Sequence, residues 1–234
     1  MIGIIGAMQV EIERIKAQMT DITEETVSGI EFVCGRLGEV EVVAAVCGVG
    51  KVFAAVCAQT MILKYGVSAI INTGIGGTLS PELGILDVAV SSGVVEHDMD
   101  TSAVGDPVGM ISGINIIELP ADGTLCELAA KTAESMGVKH AVGIIASGDQ
   151  FVADRGRKDF IREYFHAIAC EMEGAAIGHV CYINNVPFVV IRAISDDVSG
   201  GGPEDYGTFK TGAAEVSTGL TLALVQRYEK EKCR

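Results

Sequence analysis

Three short stretches carry acidic side chains to the ends of apolar runs. "GAMQVE" (6–11) brings Met8 and Glu11 to the start of a helical pattern. "CEMEG" (170–174) brings Glu171, Met172 and Glu173, and "VVIRAISDD" (189–197) brings Arg192, Ser195 and Asp196. Carboxylates, a guanidinium and thioether walls suit a neutral organic ligand held by several hydrogen bonds, with groups able to act as general acid and base. Each residue also has a structural account, and taken singly that account is the simpler one. Glu11 can be a helix N-terminal acid favoured by the macrodipole. One of Glu171 and Glu173 can form an ion pair with Arg192. Asp196 can cap a turn, and Met8 and Met172 can fill a core.

The elements that must position these groups alternate along the chain. Strand-like runs are "IGIIGA" (2–7), "SGIEFVCGRL" and "VEVVAAVCG" joined by a "GE" turn, "SAIINTGIGG" (68–77), "DVAVSSGVVEH" (87–97) with a bend at Gly93, "AVGIIASGDQF", "AIACEM" and "PFVVIRAISD". Helical patterns occupy 9–19, 51–66, "GTLCELAAKTAESMG", "ADRGRKDFIREYF", "EGAAIGHVCYINN" and 208–232. Residues 98–120 read as loop. Continuously apolar strands alternating with helices predict an α/β fold with a mixed sheet covered on both faces. Ligands in such sheets sit beyond the carboxyl ends of the strands, where the acids lie. No linker or repeat divides the 234 residues, so the chain reads as a single domain, 1–234.

Composition narrows the partners. The net charge of −14 argues against nucleic acid and against an anionic membrane surface. No apolar run has the length of a spanning helix, and the first residues lack the basic region of a signal peptide. The 7 cysteines (Cys34, Cys47, Cys57, Cys126, Cys170, Cys181 and Cys233) form no CxxC pair, so no zinc site is expected, and a reducing cytoplasm is. His97 with Asp98 and Asp100 in "EHDMD" reads as a surface loop, not a metal site, since no second histidine stands at ligand spacing. "GIGG" (74–77) is a weak phosphate-loop signal without the Lys-Ser/Thr of a P-loop.

Beyond this point the sequence speaks through resemblance. "IGIIGAM", "CGVGKVFAA", "INTGIGG", "EHDMD", "SGDQF", "EMEGAAIGHVC" and "PFVVIRAISDD", in this order from residue 2 to about 210, resemble the 5′-methylthioadenosine/S-adenosylhomocysteine nucleosidases of the nucleoside phosphorylase superfamily. The resemblance implies a three-layer α/β/α sandwich around a twisted mixed sheet, and a homodimer. It also implies cofactor-free hydrolysis of the bond between adenine N9 and ribose C1′, in methionine salvage. Asp196, kept protonated by partial desolvation, would deliver a proton to adenine N7, with Ser195 holding it. Glu173 would stabilise the oxocarbenium ion and bind the ribose hydroxyls, and Glu11 would deprotonate the attacking water. Arg192 would orient Glu173 and that water. Met172 would pack on the ribose beside Met8, Phe151 would stack on adenine, and the Val152 backbone would read the base edge.

The family's 5′ channel is completed by a partner loop that corresponds here to residues near 100–113. "DTSAVGDPVGMIS" places Val104, Ser112 and Thr101 there, with Val49 and, from a lid "GGGPEDYGTF", Tyr206 as further walls. Smaller, more polar walls leave 5′-deoxyadenosine and 6-amino-6-deoxyfutalosine as alternatives to methylthioadenosine. Phosphorolysis is a rival, but Glu11 stands where phosphate would lie and would repel it. Ile75, in place of the usual serine, cannot donate a side-chain hydrogen bond to phosphate. A non-catalytic nucleoside binder on this fold is a second rival; it would be expected to lose one of the three acids.

Overall fold

A computed structural model describes residues 1–196 and 202–232. Asp197, the first two residues of the expected lid (200–201), and Cys233 lie outside the described residues. The elements run β1 (Ile2–Gly6), α1 (Gln9–Lys16), β2 (Thr20–Val27), β3 (Ile30–Leu37), β4 (Val40–Val46), α2 (Lys51–Tyr65), β5 (Ile70–Thr78) and β6 (Val88–Glu96). They continue with β7 (Glu118–Pro120), α3 (Gly123–Ser135), β8 (His140–Ser147), α4 (Arg155–Phe165), β9 (Ala167–Glu171), α5 (Gly174–Asn184), β10 (Phe188–Asp196) and α6 (Gly202–Lys232).

The strands β1, β5 and β10 are buried on both faces because helices cover both sides of the sheet. Ile12 and Ile15 of α1, Leu125 and Leu128 of α3, and Leu220 and Leu224 of α6 share one apolar layer. Ala54, Cys57 and Met61 of α2 share the other with Ala175, Ile177 and Cys181 of α5. The three layers match the expected α/β/α architecture.

Strand order explains why the site forms where it does. β5 lies between β1 and β10, parallel to both, and its far end also pairs antiparallel with β9. The path β5, β10, β6, β8, β9 therefore returns to β5. At the return point Gly77 of β5 stands opposite both Cys170 of β9 and Asp196 of β10. The register of β10 against β5 slips between Ile194 and Asp196, leaving Ser195 as the extra residue of a bulge. A bulge re-aims the next side chain, here Asp196.

Four details depart from the sequence reading. β2 is a strand that the sequence did not reveal, because "TDITEETV" is exposed along almost its whole length and has no apolar face. The loop 98–120 contains a short 3-10 turn (Ser102–Val104) and β7. His97 is fully buried, not on a surface loop: its backbone N–H continues the strand pairing to Ser147 O at 2.9 Å. The last helix starts at Gly202, so Tyr206 sits on a helix, not a loop lid. No helix among the described residues is long and apolar enough to cross a membrane.

Candidate active site

Glu11 is both a helix-start residue and a pocket residue. Its Oε2 accepts hydrogen bonds from the Ala7 and Met8 N–H groups at 2.8 and 2.9 Å. Its Oε1 accepts one from the Ile75 N–H at 3.0 Å, across from the central strand. Burial pushes its carboxyl above the usual range, opposed by Arg192 and by these three amides. Gly74 is required by this arrangement: a Cβ there would come within 2.6 Å of Glu11 Oε1.

Glu171 and Glu173 divide the two roles that sequence left open. Glu171 accepts from Ser147 Oγ, from Arg192 Nη2, and from the Glu173 and Gly174 N–H groups at the start of α5. It is the structural carboxylate. Glu173 Oε1 accepts the Gly50 N–H at 2.8 Å. Gly50 has a φ of 101°, a backbone conformation that favours glycine, and it starts α2. Burial, and next the negative charge of Glu171, push the Glu173 carboxyl up to about 7.

Arg192 needs a correction. Its Nη2 pairs with Glu171 and with Asn72 Oδ1, and stands 3.9 Å from Glu173 Oε2. It is 2 % exposed and does not line the cavity. It braces Glu171 and, at longer range, Glu173, and does not reach the space for water. The reason is geometric: Glu171 ends β9 while Glu173 lies past the strand end, so the strand residue meets the guanidinium first.

Asp196 also differs from expectation. It is not merely desolvated. Lys158 Nζ stands 2.8 Å from its Oδ2 and the Thr78 N–H donates to its Oδ1 at 3.0 Å. Ser195 does not hold it through the side chain: Ser195 Oγ is directed to Gly76 O at 3.4 Å, and the contribution of Ser195 is the bulge. A Cβ on Gly77 would come within 3.0 Å of Asp196 Oδ1. The glycines of "GIGG" thus make room for two carboxylates, not for phosphate.

These groups open on one cavity, enclosing about 630 Å³ of space that includes its solvent-open mouth. Glu11, Glu173 and Asp196 line it together with Met8, Val49, Ile75, Phe151, Val152, Met172, Ser195 and Tyr206. Phe151, 50 % exposed, meets the Tyr206 ring edge-on at 5.6 Å, and the Tyr206 hydroxyl donates to Met8 Sδ at 3.2 Å. Val49 is half exposed at the rim. Thr101, Val104 and Ser112 do not line this cavity. Val104 is 83 % exposed, and Thr101 and Ser112 are directed to Asp106.

Sequence reasoning missed Gln150 and Cys170 in the lining, the Gly50 and Thr78 amides, and Lys158. A signal for Lys158 was present: with Ile161 and Phe165 it falls at helical spacing on the buried face of α4. Chemically, the cavity wall carries Glu11 and Asp196, each fixed at both oxygens, Glu171 tied to Arg192, and Glu173, whose carboxyl is pushed up to about 7.

A family model described as the phosphorylase superfamily matches residues 1–226. The 5′-methylthioadenosine/S-adenosylhomocysteine nucleosidase of Shewanella sediminis is 40 % identical over 228 residues, 97 % of this chain and 99 % of that protein. A solved mutant of the Helicobacter pylori nucleosidase with 5′-methylthioadenosine in its active site superposes with a TM-score of 0.92 at 35 % identity, covering 97 % of this chain and 98 % of the other. A structure named as futalosine hydrolase of Helicobacter pylori matches with a TM-score of 0.92 at 34 % identity, covering 97 % of each chain.

Proposed function

This chain belongs to the phosphorylase superfamily and, within it, to the 5′-methylthioadenosine/S-adenosylhomocysteine nucleosidase family, and we propose from that premise how its cavity breaks a purine nucleoside. It is a hydrolase acting on N-glycosyl compounds. The observation that carries the proposal is the convergence of Glu11, Glu173 and Asp196 on one cavity from three separate parts of the chain. With the nucleoside bound, the Asp196 carboxylate, which in the free cavity pairs with Lys158 Nζ at 2.8 Å, takes up a proton from solvent and delivers it to adenine N7 as the C1′–N9 electron pair leaves with the base. The ribose becomes an oxocarbenium ion, which Glu173 stabilises while holding the 2′- and 3′-hydroxyls. Glu11 takes a proton from water, whose oxygen bonds to C1′. The sum is one water consumed, adenine and a 5-substituted ribose released, and no cofactor enters. Phe151 and Val152 form the adenine end, and Met8 and Met172 the ribose walls.

Water as the nucleophile is supported by the way Glu11 is held. The Ala7, Met8 and Ile75 N–H groups, which could otherwise donate to an anion, are all taken by the Glu11 carboxylate, whose own charge would repel phosphate. Ile75 contributes through its amide, so the absence of a serine hydroxyl at this position does not remove the bond that fixes Glu11.

The substrates proposed are methylthioadenosine and S-adenosylhomocysteine, with 5′-deoxyadenosine accepted, in methionine salvage. A second reading, 6-amino-6-deoxyfutalosine, draws support from the likeness to the Helicobacter pylori futalosine hydrolase and from the exposed rim at Val49. A panel of 5′-substituted adenosines compared by kcat/KM tests both. Methylthioadenosine and S-adenosylhomocysteine are expected at the top. If both fall well below the futalosine, the substrate assignment is wrong.

The working form proposed is a homodimer of single-domain chains in a reducing cytoplasm. The six described cysteines are free thiols, which suits that compartment. On α2, Val52 (74 % exposed), Phe53 (54 %) and Leu63 (74 %) present apolar surface, and α5, which packs against α2, exposes Tyr182 and Ile183. Such a patch favours a protein partner, and the exposed loop near 100–113 would then close the 5′ side of the neighbour's cavity. Charging the patch with Val52→Glu and Phe53→Asp is expected to halve the mass seen by light scattering and to lower kcat/KM. A monomer of undiminished activity contradicts the shared site.

A further inference from the structure

Lys158 is a cation in an apolar place. Its neighbours on the inner face of α4, Ile161 and Phe165, belong to a small apolar cluster with Leu79, Val95 and Cys170. A leucine or methionine would extend that face without the cost of desolvating an ammonium. Instead the Lys158 side chain, 4 % exposed, reaches Asp196 Oδ2 at 2.8 Å. On the other side the Thr78 N–H fixes Oδ1. The carboxylate is gripped at both oxygens by groups from two elements, and a carboxylate so held keeps lone pairs for a further partner. Lys158 does not line the cavity, so its route to a ligand runs through Asp196. It also sits in the first turn of α4, the helix that follows the segment carrying Gln150, Phe151 and Val152, the adenine wall.

We propose that Lys158 is a positioning residue for Asp196, fixing the plane of its carboxylate and tying the strand-end acid to the segment that holds the base. This rests on the nucleosidase reading of the cavity. It accounts for a buried ion pair that packing alone does not call for.

A four-protein cycle tests it: wild type, Lys158→Met, Asp196→Asn and the double variant, each assayed for kcat and KM on methylthioadenosine, with melting temperatures. Lys158→Met is expected to lower kcat about tenfold or more, the scale of a partly misplaced acid, with a smaller change in KM. In the Asp196→Asn background the same substitution is expected to change kcat less than about twofold, because coupled residues are not additive. Lys158→Arg, which keeps the charge, is expected to recover most of kcat. Should Lys158→Met fail to fold with an unpaired buried carboxylate, the double variant against Asp196→Asn, and Lys158→Arg against wild type, carry the comparison. Equal losses in both backgrounds, or full kcat in Lys158→Met, overturn the proposal. Wild type that releases no adenine from any nucleoside overturns the nucleosidase reading instead; an active wild type with an additive cycle overturns only the role of Lys158.

Discussion

Replacing Asp196 by asparagine is expected to lower kcat by about 10²–10⁴-fold, the usual share of a general acid, while nucleoside binding persists. The side chains are nearly the same shape. The amide oxygen can still accept the Thr78 N–H that now bonds Oδ1 at 3.0 Å. What disappears is the carboxyl that takes up and delivers the proton for N7, and with it the carboxylate that pairs with Lys158, 2.8 Å away. Adenine would then have to depart as an anion, and the barrier rises at the chemical step, not at binding. Losing the buried ion pair to Lys158 also costs stability, so the assay temperature must lie below the variant's transition. Single-turnover rates separate chemistry from release, and titration with a non-hydrolysed nucleoside analogue gives Kd. Turnover near that of wild type would remove Asp196 from the acid role.

Glu11→Gln is expected to be as damaging to kcat, again about 10²–10⁴-fold, and for a more rigid reason. Glu11 accepts three backbone N–H groups with its two oxygens. A glutamine has one oxygen, so its NH₂ must face either the Ala7 and Met8 donors or the Ile75 donor. Donor then meets donor in a buried site, and an unsatisfied buried group costs about 1–3 kcal/mol. Both the base and the fixed distance between the first turn and β5 are lost. The raised pKa of Glu11, caused first by burial, makes its carboxylate a better proton acceptor than an exposed glutamate. Only the ionised form can take a proton from water, so kcat is expected to fall as pH drops through that raised pKa. Pre-steady-state rates and thermal melting of Glu11→Gln check both parts. A variant with wild-type kcat excludes Glu11 as the base.

The positions of the three acids were legible because each follows an apolar run that could only be a buried strand, and ligands gather beyond such strand ends. The hairpin β3–β4 was legible from alternation and from Gly38, whose φ is 60°. β2 was not, since an exposed strand has no buried face to imprint a period. The partners of the charges were not legible either. Arg192 could have met either glutamate, and only the way β9 ends gives it Glu171. Lys158 lies 38 residues from Asp196, and its pairing depends on β9 and β10 both returning to Gly77. That closure is a matter of topology, for which local sequence carries no period. The glycines 74 and 77 were visible but misleading: they resemble a phosphate turn, while the atoms they make room for belong to Glu11 and Asp196.

The most direct measurement is the identity of the sugar formed from methylthioadenosine, with and without inorganic phosphate. Free 5-methylthioribose with adenine, at a rate that phosphate does not change, is the result this account predicts. Sugar 1-phosphate formed in a phosphate-dependent way, or nucleoside returned intact, would contradict it.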